Sequence, residues 1–372
     1  MPHTMAHLAP NSISSRERLH RCYNHQEQDR PGVYIRTYWP SNDPSYDPVK
    51  AYVHAHTDLK IPVDLTALET PYRTSTRTEP HSADFDRHTV TLHTPTGDLQ
   101  SVYLIGLRTY PSFCQEHFLK TREDAQKWLS LPLPEPRGDA SAFLKAQHDV
   151  GDRGIADACL SSNPGGHVVE LFGSEAFAIF SVTERDLLHE LLQRQQTIIL
   201  NRLKRALSLG IGPYFSSLGQ EEIVPPLHGP ADFVEFNMQY DKPIFDLIHN
   251  AGGRIHVHCH SKIGRVFQYF IEMGVDVLHP IEPPPLGDIT AAQAKHLARG
   301  KMCLEGNIQI ANMYERTPAQ VAEETTTLIA DAFDDRNGLI VSPSASLYQI
   351  GKGAQCLEQV KAMVQTVLSY RP

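Results

Sequence analysis

The sequence is poor in the features that mark several protein classes. Its six cysteines, Cys22, Cys114, Cys159, Cys259, Cys303 and Cys356, include no CxxC pair and no dense spacing. In a chain of this length that favours reduced thiols over a disulfide framework. No window approaches the roughly eighteen apolar residues of a membrane span. The opening MPHTMAHLAPNSISSRERLHRC sets histidine and proline where a signal peptide needs an apolar stretch. A cytoplasmic protein is therefore expected. The formal net charge of −9 comes without a basic block, so neither nucleic acid nor a membrane surface is expected as a partner, and a small-molecule substrate is. No GxGxxG opens a helix after an early strand, and no internal repeat or low-complexity tract interrupts the chain.

What is present is an α/β rhythm. With 372 residues, 41% of them hydrophobic and 21% charged, the chain can bury one large core. One domain over 1–372 is expected, with 1–14 flexible and the assembly left open, a homodimer included. SRERLHRCYNH reads as a short helix capped by Ser14 or Ser15, and VYIR as a first strand. Over about 66–108, HTVTLHT and SVYLIGL flank the turn PTGDL and read as an inserted antiparallel hairpin. TREDAQKWLSL is a helix, and GHVVELFG is read as a strand. ERDLLHELLQRQQTIILNRLKRALSLG is an amphipathic helix ending on Gly210.

PYFSS, RIHVHC, VDVLHPIE, KMCLEG and GLIVSPS then alternate with helical segments. Each parallel connection needs a crossover, so this alternation predicts a parallel sheet. About eight such units predict a (β/α)₈ TIM barrel.

The twenty histidines are mostly scattered, but IHVHCHS is dense. His256, His258 and His260 alternate along a strand and project from one face. At roughly 3.3 Å per residue the outer two are about 13 Å apart, too far to share an ion, whereas an i, i+2 pair can. Barrel active sites lie at the C-terminal strand ends, which selects His258 and His260. The next strand ends HPIEPPP and brings Glu282 to the same rim. Two imidazoles and a carboxylate form the three-ligand set of a catalytic zinc, and iron or manganese suits the same donors. The competing reading makes these hydrogen-bonded interior histidines, with Glu282 paired to a cation such as Arg265. Cys259 points to the opposite face and is expected, like Cys303, to pack.

GRIHVHCHSKIGRVFQYFIEMGVDVLHPIEPPP resembles the metal strand of the uroporphyrinogen decarboxylase-like superfamily, which includes corrinoid and thiol methyltransferases and, more distantly, cobalamin-independent methionine synthase. SRERLHRCYNHQEQDRPGVYI, TPTGDL, LEGNIQ and SPSAS agree with it, so the resemblance spans most of the chain. It implies a (β/α)₈ barrel and a metal-dependent methyltransferase or demethylase. Against the zinc-dependent methyltransferases, His258 takes the histidine position, His260 the first cysteine position and Glu282 the glutamate position. The last cysteine falls at Ser342 or Ser344. A site with fewer thiolates leaves a metal more Lewis-acidic, which favours an oxygen-bearing substrate or activated water.

The resemblance also marks Glu221 as a candidate acid/base, and places Arg36 where the decarboxylases carry an arginine-rich substrate grip. A lone Arg36 argues against uroporphyrinogen itself and for a smaller carboxylated molecule if the reaction is decarboxylation. Asn237, Tyr240, Asn307 and Ser344 complete the candidate substrate-binding residues. Asn237 and Tyr240 also suit capping and packing roles.

Overall fold

The computed structural model describes residues 8–9, 11–40, 42–107 and 111–371, so most of the opening stretch expected to be flexible lies outside the described residues. Eight strands form one parallel sheet: β1 (Gly32–Val33), β2 (Leu59–Asp64), β7 (Gly154–Ser162), β8 (Tyr214–Leu218), β9 (Arg254–His258), β10 (Val277–His279), β11 (Cys303–Glu305) and β12 (Leu339–Val341). Their spatial order is β1-β12-β11-β10-β9-β8-β7-β2. The sheet is curled and barrel-like. Its two end strands meet at a single backbone bond, Asp58 N–H to the Val33 carbonyl at 2.8 Å, backed by Val33 N–H to Asp58 Oδ2 at 2.9 Å. Strands as short as β10 and β11 are buried throughout, as parallel strands covered on both faces must be. Cys259 lies fully buried in the main core and Cys303 in a smaller cluster with Leu19, Cys22 and Tyr23, both as packing.

The insertion is larger than the expected hairpin. It is a four-stranded antiparallel sheet, β3 (Thr74–Pro80), β4 (Phe85–Leu92), β5 (Leu99–Gly106) and β6 (Phe113–Glu116). The PTGDL turn does join β4 to β5, with Gly97 at φ 128°. β3 escapes a search for apolar alternation because TSTRTEP is almost wholly exposed.

A second correction concerns GHVVELFG. It belongs to a helix, Pro164–Phe172, and the strand precedes it as GIADACLSS. The reason is local: the Asn163 side chain accepts from Gly166 N–H and Pro164 sits in the first turn, a helix start that outweighs β-branched Val168 and Val169. By contrast, the helix Ser15–Tyr23 is capped by Ser14 and the helix Arg185–Ser208 runs 24 residues, both as expected.

The N-terminal ends of β1 and β2 are tied by ions. Arg18 donates to Asp29 at 2.8 Å and to Asp58 at 2.7 Å, and Arg30 to Asp58 at 3.1 Å, all with side chains at most 5% exposed. Burial works against a charged Asp58, yet Arg30 and Arg18 hold its carboxyl below the usual carboxylate range.

Candidate active site

At the opposite end, parallel register sets the rim. His279 is paired with His258 and Leu218 with His258, so the last residues of β8, β9 and β10 stand side by side. The His258 and His279 rings stack with centroids 4.9 Å apart. His258 Nδ1 lies 2.8 Å from His279 Nδ1, and His279 Nε2 lies 3.0 Å from the Pro343 carbonyl.

These partners fix the tautomers. Burial, then the fields of neighbouring groups including Arg36, push both imidazoles well below the usual histidine range, so both are neutral. A carbonyl only accepts, so His279 Nε2 carries the proton and His279 Nδ1 is an acceptor. His258 must then donate from Nδ1. Its Nε2 is left with the free lone pair.

His258 lines a narrow cavity. Arg36, Tyr34 and Tyr38, on the chain leaving β1, form one wall, and Lys60, Asp157, Cys159, Ser216 and His256 form others. Among the described residues Arg36 makes no ion pair; its guanidinium lies 5.9 Å from the Tyr38 ring centre. Beneath it Lys60 donates to Glu305, and His256 Nε2 stands 3.4 Å from the same carboxylate. Burial works against charge on Glu305, but Lys60 and then His256 hold its carboxyl well below the usual range. Asp157 goes the other way, raised by burial to about 6. Burial, then Lys60, lowers His256 to about 4.

His260 lies just past β9, its ring 4.7 Å from that of His258 and roughly perpendicular to it. Its Nδ1 is 3.3 Å from Glu282 Oε1, while Ser261 N–H donates to Glu282 Oε2 at 3.1 Å. Glu282 therefore meets His260, not Arg265. Burial raises Glu221 above the ordinary glutamate range; its Oε2 accepts from Gly219 N–H at 3.0 Å, and the nearby His260 opposes the rise. His258, His260, Glu282, Glu221 and Arg36 thus share the C-terminal rim.

The remaining candidates are engaged elsewhere. Asn237 is fully buried, donating to the Gln220 carbonyl at 3.1 Å and accepting from Asn163 at 2.8 Å. Tyr240 packs in the second core cluster with its hydroxyl 2.6 Å from His189 Nδ1. Asn307 donates to the Ile281 carbonyl and borders an outer groove. Ser344 Oγ accepts from Ile310 N–H at 3.1 Å and ties the loops after β11 and β12 together; Ser342 is fully buried beside it.

Among the described residues no three His, Cys, Asp or Glu side chains are arranged to hold a metal ion. His258 Nδ1 is engaged by His279 and His260 Nδ1 by Glu282. Glu282 stands where a carboxylate orients an imidazole, with Nε2 of His260 left free. The residues that sequence reasoning missed are His279, Lys60, Asp157 and Glu305. His279 stood one residue before the proline of HPIEPPP, and Glu305 within the LEGNIQ segment that carries part of the family resemblance.

In fold, the chain is similar to a methyltransferase from Methanosarcina mazei, with 12% identity, a TM-score of 0.60, and 95% of this chain and 98% of that one covered. A B12-independent methionine synthase from a Shewanella species aligns at 10% identity and a TM-score of 0.49, covering 91% of this chain and 96% of that one. No curated protein sequence matches the chain. Among the described residues no helix is long and apolar enough to cross a membrane. The family model of uroporphyrinogen decarboxylase (URO-D) matches residues 172–370, more than half of the chain and including every strand of the histidine cluster. This protein belongs to the uroporphyrinogen decarboxylase (URO-D) family.

Proposed function

We propose that this protein is a group-transfer enzyme, a methyltransferase or demethylase acting on a small anionic molecule inside a closed (β/α)₈ barrel. The observation that carries the reading is the neutral His258, whose Nε2 lone pair is left over on a cavity that Arg36 also lines. Arg36 holds an anionic group of the substrate by charge-assisted hydrogen bonds. His258 Nε2 takes the proton of the acceptor X–H as X attacks the methyl carbon of an activated methyl donor CH3–Y: the X–C bond forms as the C–Y bond breaks, and Y leaves with that bond's electron pair. The His279–Pro343 chain keeps His258 in the tautomer that can accept it. The fold likeness to the Methanosarcina chain supports methyl transfer as the reaction, and no step depends on a metal ion.

A second reading, decarboxylation of a small carboxylated substrate, is favoured by Arg36 and Lys60 lining one cavity. One experiment separates the two. The purified protein is given candidate substrates labelled with ¹³C at methyl or at carboxyl, and products are followed by mass spectrometry. Methyl label on an acceptor, lost in His258→Ala and Arg36→Ala, supports methyl transfer; labelled carbon dioxide with no methyl transfer supports decarboxylation. Metal analysis of the same preparation tests the expected zinc, iron or manganese. One tightly bound ion per chain, lost in the His258→Ala, His260→Ala double variant, would show that these side chains rearrange around a metal.

A further inference from the structure

A second cavity, of about 440 Å³, opens between the ends of β2 and β7, the helix Arg185–Ser208 and the helix Arg122–Leu129. Its polypeptide differs from that of the central site: Asp157 and Cys159 of β7 face the central cavity, while Ser161 and Ser162 line this one. The change of direction is built into the backbone. Ser161 adopts φ 66°, a left-handed conformation that costs a non-glycine residue energy, and the β7–β8 register shifts between Cys159 and Ser162.

Three aromatic rings wall the pocket. Trp128 meets Tyr72 edge-on at 5.6 Å and His167 at 5.9 Å. Burial, with Arg202 nearby, pushes His167 down to about 4, so at neutral pH it contributes a ring face and no charge. Two carboxylates and one guanidinium share the lining. Arg202 donates to Glu69 at 2.6 Å, which cancels that pair, while Glu170 accepts only a hydroxyl hydrogen bond from Ser162, also at 2.6 Å. Its nearest cation candidate, His167 at 3.9 Å, is neutral. Glu170 therefore brings a carboxylate without a charged partner to the pocket, beside aromatic rings, while Arg194, not itself a lining residue, donates to the Tyr72 hydroxyl at 3.1 Å. Arg202 is almost wholly buried, donates from Nη1 to the Leu160 carbonyl, and leaves its buried Nε–H without a partner among the described residues.

We propose that this side pocket binds a small methylated onium, a quaternary ammonium. Such a cation cannot donate hydrogen bonds, and aromatic walls attract it through the ring quadrupole. Glu170 supplies the balancing charge. The ligand class follows from the pocket alone and does not depend on the reaction proposed above.

The test needs no enzymatic assay. The chain has two tryptophans, Trp39 and Trp128, so Trp39→Phe leaves Trp128 as the sole emitter. This variant is titrated with glycine betaine, with choline, and with the neutral carbon isostere of choline, in which a tert-butyl group replaces the trimethylammonium head. We expect saturable emission changes with betaine and choline. Affinity should fall about tenfold for the isostere, and similarly for betaine when Tyr72→Leu or Glu170→Gln is added. Glu170→Gln alters a largely exposed side chain, so it reports on binding even if Tyr72→Leu perturbs packing. The proposal is overturned if no saturable change occurs, if the isostere binds as well as choline, or if Glu170→Gln binds betaine as tightly as the parent.

Discussion

At the N-terminal ends of β1 and β2, Arg18 and Arg30 meet Asp29 and Asp58 in a buried network in which each charge faces an opposite one at 2.7–3.1 Å. Inside the same sheet, toward the other end, the buried polar groups are left incomplete. Asp157 Oδ1, His256 Nε2 and Glu305 Oε1 lack hydrogen-bond partners, and Arg36 lacks an ion pair among the described residues. The saturated end joins the first strand to the second. The unsaturated end keeps neutral imidazoles and an unspent guanidinium in a place where only a ligand could complete them, which is the division between stability and chemistry expected of the two faces of such a sheet.

This contrast can be broken by substitution. Arg18→Met should cost the most, about 3–5 kcal/mol of stability, because it removes the ion pair of Asp29 and one of the two cations that face Asp58. Denaturant unfolding would measure it, and the folded fraction should keep its activity. At the other end the effect should move from stability to rate. His258→Ala is expected to lower turnover by about 10²–10⁴ while changing the unfolding free energy little, since it removes a general base rather than an ion pair. If Arg18→Met abolished turnover in folded protein, or His258→Ala unfolded it, the two ends would not differ in the way described.

Glu282→Gln sharpens the picture within the active end. Removing the carboxylate that faces His260 should reduce turnover by about 10–100-fold, and kcat should fall more than KM rises, because the residue orients an imidazole.

The smallest effect is a pH dependence. Asp157 is raised to about 6 in the fold from an ordinary value of 3.8, so its contribution is fully present at low pH and is lost as pH rises through about 6. His256 is lowered to about 4, so it costs stability as pH falls from 6.5 towards 4. The melting temperature of Asp157→Asn relative to the parent should therefore move in the variant's favour between pH 4 and pH 6. A difference that stayed flat across that interval would show Asp157 to be ionised in the fold like an ordinary carboxylate.

Much of this was legible in the sequence, and for definite reasons. The parallel sheet could be read because each strand–helix unit repeats the same apolar period, and the Ser14 cap and the PTGDL turn because they are local chemistry. His258, His260 and Glu282 could be placed on one rim because alternation along a strand and the end of its neighbour are both one-dimensional facts. Asn237 and Tyr240 show the limit: both lie near the right rim in sequence, but an intervening helix turns them towards Asn163 and His189.

The sequence by itself determined the alternation of strands and helices, the family, and the gathering of histidines at the end of β9. Only the tertiary structure decided what those histidines do. The tautomer of His258 depends on His279 and on the carbonyl of Pro343, 21 and 85 positions away along the chain, and the charge of His256 on Lys60 and Glu305 from two other strands. Proton positions and charges follow from the nearest atoms in space, and strand periodicity does not say which distant residues those will be.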